Sequence, residues 1–208
     1  MLNTFLEPIL LIGAICLDNL IVSTLYSYQN IKISFKVIFI INFICAFSLF
    51  ISQFLGNFIK NYISLNSIHY ISFAILFILG IIKLFDSFIK NIINKYAIHK
   101  TKHFKMFNLN FIVQIYGDST KADQDFSKSI NVKEALALSI SLSIDSLSVG
   151  IGYGLTQINY FVIIFSFIIG IVLFYIGKII GQTVPKKYNH DISWISGIML
   201  IILAFFKI

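Results

Sequence analysis

Long apolar runs separated by polar stretches set the plan of this chain. Six runs, at about 5–28, 35–56, 68–89, 133–154, 158–181 and 190–208, each approach the roughly 20 apolar residues that a bilayer-spanning helix needs. They are continuous rather than alternating, which excludes the strands of a membrane barrel. Between the third and fourth runs lies a polar stretch, residues 90–132, long for a structureless connection. The pattern predicts an all-α integral membrane protein of six transmembrane helices. Residues 1–89 and 133–208 form two three-helix units, joined by a loop at 90–132.

The two units echo each other. ICLDNLIVSTLYS in the first run aligns with LSIDSLSVGIGYG in the fourth, matching Asp18 to Asp145 and Tyr26 to Tyr153. ISQFLGNFI and IGKIIGQTV, ending the second and fifth runs, match Gly56 to Gly181, and ISF and ISW open the third and sixth. An odd number of helices per unit inserts the second unit upside down. The expectation is a pair of inverted repeats, an architecture that places a transport site near the midplane at the repeat interface.

Composition agrees with the bilayer: of 208 residues 58% are hydrophobic and only 12% charged. The net charge of +7 comes from lysine alone. Those lysines lie between apolar runs, so they argue for topology and anionic lipid head groups rather than nucleic acid. Lys32 and Lys36, Lys90 to Lys128, and Lys186 and Lys187 share one face, against Lys60 and Lys207 on the other. The positive-inside rule makes the lysine-rich face cytoplasmic and puts both termini outside. Lys178, near the inner end of the fifth run, is placed to snorkel. The first run lacks a basic leader and a small-residue cleavage site, so it is expected to be a retained helix. Cys16 and Cys45 sit in apolar runs as buried free thiols.

Asp18 and Asp145 are the costly residues. An aspartate at the centre of a membrane helix costs roughly 2.5–3.5 kcal/mol. Either they tie helices together in protonated or hydrogen-bonded form, or they face each other and hold a cation. Helical spacing favours a site: Ser141, Asp145, Ser148 and Gly152 line one stripe of the fourth run. Ser139, Ser143, Ser146, Gly150 and Gly154 form a second, suited to helix packing. Asn19, Ser23 and Tyr26 lie beside Asp18, and Glu7 lies outward of it, most simply as a solvated first-turn acid. The candidate ligands are Asp18, Asp145, Asn19, Asn42, Ser141, Ser146 and Ser148, with Ser146 included as the repeat counterpart of Asn19. These oxygen donors suit Mg²⁺, Ca²⁺ or Mn²⁺. Two carboxylates are neutralised by one divalent cation or by two protons, which suggests metal–proton exchange. The midplane runs offer no evident cation for a substrate carboxylate, which weighs against an amino-acid exporter.

The loop carries a second acidic pattern. In DQDFSKSINVKE, Asp123, Asp125, Ser127 and Glu134 occupy positions 1, 3, 5 and 12 of a calcium loop, but Lys128 stands where glycine is required. Asn131 with Glu134 also reads as a capping box for the fourth helix, the simpler account. FNLNFIVQIY, upstream, reads more like a strand. His99 and His103 read as solvated, and Asp86, between Lys83 and Lys90, as an interfacial ion pair.

The paired LDNL and IDSLSVG segments, each opening a three-helix unit, resemble the manganese efflux pump family (MntP). The loop segment QIYGDSTKADQDFSKSINVKEA resembles that of the related sporulation membrane protein branch, YtaF. The resemblance implies six helices, a cation site at Asp18 and Asp145, manganese as the first substrate to consider, and a bacterial inner membrane location associated with sporulation. Where the manganese pumps carry an acid in helix two, this chain offers Asn42, Ser48, Ser52 and Gln53. The competing reading is a non-transporting sporulation scaffold or metal-sensing protein. No cofactor is expected. No nucleotide loop, hydrolytic triad or haem motif suggests an enzyme.

Overall fold

The computed structural model describes residues 2–86, 89–90, 109–123, 125–183 and 193–207. Seven α-helices are present among them: α1 (Leu2–Tyr28), α2 (Phe35–Lys60), α3 (Leu65–Leu84), α4 (Leu109–Gly117), α5 (Val132–Gly154), α6 (Tyr160–Thr183) and α7 (Ser193–Phe205). No strand occurs among the described residues. Five of the helices, α1, α2, α3, α5 and α6, are long and apolar enough to cross a membrane, and α7 is a shorter apolar helix. The chain is a multi-pass membrane protein. The run expected at 190–208 begins outside the described residues, as do His99 and His103.

Local chemistry fixes the helix ends. Ser34 caps α2, its hydroxyl accepting the Val37 N–H at 3.4 Å, and Lys60 closes the last turn where the carbonyls point outward. Asn30 ends α1 in the left-handed region (φ 60°), and the Ile31 N–H returns to the Tyr26 carbonyl at 2.8 Å. At α5 the Glu134 carboxylate accepts the Asn131 N–H at 2.9 Å, the acid arm of the capping box.

The strand expected around FNLNFIVQIY is instead the helix α4. A strand here would need a partner, whereas a helix satisfies its own backbone groups against the apolar side of α5, on which α4 packs.

Helices pair across the two units. α1 lies along α6, α2 along α5, and α3 along α7. Gly56 of α2 lets the chain approach the Ile151 carbonyl of α5; Gly181 of α6 lets it approach the Thr24 carbonyl of α1. A Cβ at either position would collide with that backbone oxygen. Thr24 and Ile151 are each six residues past the aspartate of their own helix. A serine–glycine contact is likewise exchanged: Ser23 of α1 meets Gly177 of α6, and Ser52 of α2 meets Gly150 of α5.

Contacts tie the helices together at both ends of the bundle. At the end carrying the lysine-rich loop, the buried Tyr26 donates to the Ser119 carbonyl at 2.5 Å, and Lys32 exchanges backbone hydrogen bonds with Lys128 and Ile130. At the opposite end Lys207 pairs with Glu7 at 2.5 Å and lies 4.3 Å over the ring of the buried Tyr153. Glu7 is thus a partly buried, paired acid, not a solvated one, because the chain end folds back over it. The outer surface carries ladders such as Phe39, Phe43 and Phe47, with rings 6.4 and 6.3 Å apart, exposed as a lipid-facing surface requires.

Candidate functional site

Asp18 of α1 lies about 15 Å from the loop end of its helix, and Asp145 of α5 about 20 Å from the same end. Their depths are similar, and the fold brings their carboxylates to one point. That point is occupied. The Nζ of Lys83, near the end of α3, donates to Asp18 Oδ1 and Oδ2 at 2.8 and 2.7 Å and to Asp145 Oδ2 at 2.7 Å. Lys83 and Asp18 are buried, and the Asp145 side chain retains 18% exposure.

Why α3 supplies the ammonium follows from packing. The stripe of Asp145 and Gly152 on α5 faces α3: Ser72 donates to the Gly152 carbonyl at 2.7 Å, and Ile75 and Leu76 pack on Gly152. A helical side chain points back toward its own N-terminus, so Lys83 reaches from the loop end of α3 toward the bundle centre. The arrangement corrects the expectation that the midplane offers no cation. Asp86 is an ion pair as expected, with Lys90 at 2.6 Å and not with Lys83 among the described residues. Lys83 was legible as a charged residue inside an apolar run; its local neighbour Asp86 masked the distant partners.

α4 completes the site on the loop side. The Tyr116 hydroxyl donates to Asp145 Oδ1 at 3.3 Å, and the Lys90 ammonium lies 5.7 Å from the Tyr116 ring centre. Burial, with the Asp145 charge beside it, pushes the Tyr116 phenol well above its ordinary range, so it remains a donor.

The remaining predicted ligands fall elsewhere. Asn19 turns away from Lys83 and donates to Asn42 Oδ1 at 2.9 Å; Asn42 donates in turn to the Ile38 carbonyl at 2.9 Å, under Gly170 of α6. Adjacent residues on a helix point about 100° apart, so Asp18 and Asn19 serve different interfaces. Ser146 lies buried on the α2 side, where Ser52 reaches its carbonyl at 3.4 Å. Ser148 is bonded to the Ile144 carbonyl at 2.9 Å, and Ser141 is buried. The packing stripe of Ser139, Ser143, Ser146, Gly150 and Gly154 is buried, with Gly150 and Gly154 against α2.

The loop acids also converge. Carboxylate oxygens of Asp123, Asp125 and Glu134 lie within 4.8 Å of one another. Asp123 accepts the Ser127 and Lys128 N–H groups at 3.1 and 3.0 Å, Asp125 accepts Ser127 N–H at 3.0 Å, and Glu134 is the helix cap. Lys128 takes the left-handed conformation (φ 57°) usual for glycine at that loop position. Ser127 spends its hydroxyl on the Ser129 carbonyl at 3.0 Å.

No curated protein and no solved structure matches this chain. Residues 106–208, which include Asp145 but not Asp18, match the family model described as "Mntp: Putative manganese efflux pump".

Proposed function

We propose that this chain is a divalent-cation transporter of the manganese-efflux type, with Asp18 and Asp145 as its central ligands. One observation carries the reading. Two carboxylates from distant helices converge at mid-bundle on the Lys83 ammonium, which supports a cation site where a bilayer would otherwise exclude charge. The family match over residues 106–208 supports the substrate class. Asn19, Asn42, Ser141, Ser146 and Ser148 belong to the same reading as ligands that a rearranged state would recruit.

The inverted-repeat reading is supported by the exchanged contacts of Gly56 with Gly181 and of Ser23–Gly177 with Gly150–Ser52. Such a pair of units can rock about a fixed midplane site, opening first the Tyr26 end and then the Tyr153 end. The lysine-rich end is the cytoplasmic one, with both termini outside. The loop's resemblance to the sporulation branch supports a bacterial inner membrane and an association with sporulation. As for the counter-ion, Lys83 offers a positive charge that need not come from solution, beside the two protons considered above.

The test is cellular manganese in an exporter-deficient, manganese-sensitive bacterium expressing the chain, Asp18→Asn or Asp145→Asn at matched membrane levels. The chain is expected to lower manganese and both variants to fail. Unchanged manganese with the unaltered chain rejects the reading. The second reading, a non-transporting scaffold or metal sensor, is favoured by the converging loop acids Asp123, Asp125 and Glu134. It requires indifference to Asp18→Asn and sensitivity to loop changes.

A further inference from the structure

We propose that the Lys83 ammonium is a tethered counter-cation: it fills the carboxylate pair when no metal is bound, is displaced by the incoming divalent cation, and returns to let the unloaded carrier reorient. The inference rests on the transport reading above and adds the residue that closes its cycle. Three observations support it. The ammonium stands within 2.8 Å of three carboxylate oxygens, the positions a metal would have to take. A metal and Lys83 therefore compete for the same donors, and like charges repel at that range. Lys83 also comes from α3, not from the helices that carry the acids, so it can withdraw without breaking α1 or α5.

Withdrawal has a route. The flexible four-carbon stem reaches up from the loop end of α3, and swinging it down would carry the charge toward Asp86, three residues on. Empty, the site holds two carboxylates and one ammonium, a net charge of −1 rather than the −2 of the bare pair. A bare pair turning over inside a bilayer would be strongly disfavoured. The metal-loaded carrier has no such need. Lys83 is thus required for the return of the empty carrier and competes with loading.

The experiment uses the full chain in liposomes with Mn²⁺ as probe. It compares net efflux with Mn²⁺–Mn²⁺ exchange, in which the carrier always returns loaded. In Lys83→Met, Mn²⁺ affinity is expected to rise on the order of tenfold as a like charge is removed. The ratio of exchange to net flux should also rise by about tenfold, because the empty step alone is lost. Lys83→Arg keeps the charge and should hold the wild-type ratio. A second readout needs no variant: amine labelling of Lys83 in the wild type should be slow without Mn²⁺ and several-fold faster with saturating Mn²⁺.

Loss of Mn²⁺ binding in a well-folded Lys83→Met overturns the inference, as does an unchanged flux ratio. Should that variant not fold, labelling that ignores Mn²⁺ overturns it equally. A wild type that neither binds nor carries Mn²⁺ brings down the transport reading and this inference with it. Wild-type flux with a lysine indifferent to Mn²⁺ brings down the inference alone.

Discussion

Two acidic clusters in this molecule are satisfied in opposite ways. In the loop, Asp123 and Asp125 accept backbone N–H groups two to five residues away, and Glu134 takes one three residues away. At mid-bundle, Asp18 and Asp145 share a lysine that is 65 and 62 residues distant. The difference separates two jobs. Acids bonded to their own turn hold that turn, and a metal would first have to take them from backbone donors. Acids bonded to one side-chain cation use no backbone donor, so exchanging that cation would unfold no turn.

Three changes test that contrast. The largest effect is expected from Lys83→Ala, which leaves two buried carboxylates facing each other. Breaking a buried pair on one side costs about 3–5 kcal/mol. Thermal unfolding in detergent should fall accordingly, and Asp145→Asn in the same chain should restore part of the loss. If Lys83→Ala is as mild as a loop substitution, the ammonium is not what holds the two acids together.

A smaller loss is expected from Asp123→Ala, which strips the acceptor from the Lys128 N–H and one of two acceptors from the Ser127 N–H, and costs about 1–3 kcal/mol. Its signature is local: faster amide exchange at Ser127 and Lys128, with Mn²⁺ efflux close to that of the unaltered chain. Efflux abolished by this change at matched membrane levels would favour the scaffold or sensor reading.

The smallest effect is one of pH. Hydrogen bonding from Ser127 holds the exposed Asp125 carboxyl below its ordinary range. A depressed acid contributes above its unfolded value, about 3.9, and the contribution is lost as pH falls through the lower folded value. Exchange at Ser127 should therefore show no added opening from Asp125 between roughly pH 5 and 8 and should open only in acid. A loop that loosens near neutrality would mean that some other group governs it.

Much of the architecture was legible because the bilayer leaves few alternatives. Runs of about 20 apolar residues must satisfy their own backbone groups, and helices do so without neighbours. Hence five spans are found where runs were marked. The capping box at Asn131 and Glu134 was readable for the same reason: its partners are three residues apart. α4 was misread as a strand because an apolar stretch of ten residues carries no decisive period, and its helical form rests on packing against α5.

By itself the sequence determined which residues lie in apolar segments, and that two of them, Asp18 and Asp145, are too costly to be idle there. It determined the caps, the charge asymmetry and the echo between the two units, all properties of neighbours in the chain or of composition. Only the tertiary structure decided who meets whom. It set Asn19 and Asn42 against each other and away from Asp18, folded Lys207 onto Glu7, and brought Lys83 past the nearer Asp86 to the two aspartates. The physical reason is that helical spacing fixes a side chain's face to within a fraction of a turn. The helix facing it is chosen by close packing of the whole bundle, to which Gly56, Gly181 and their partners contribute from positions far apart in the chain.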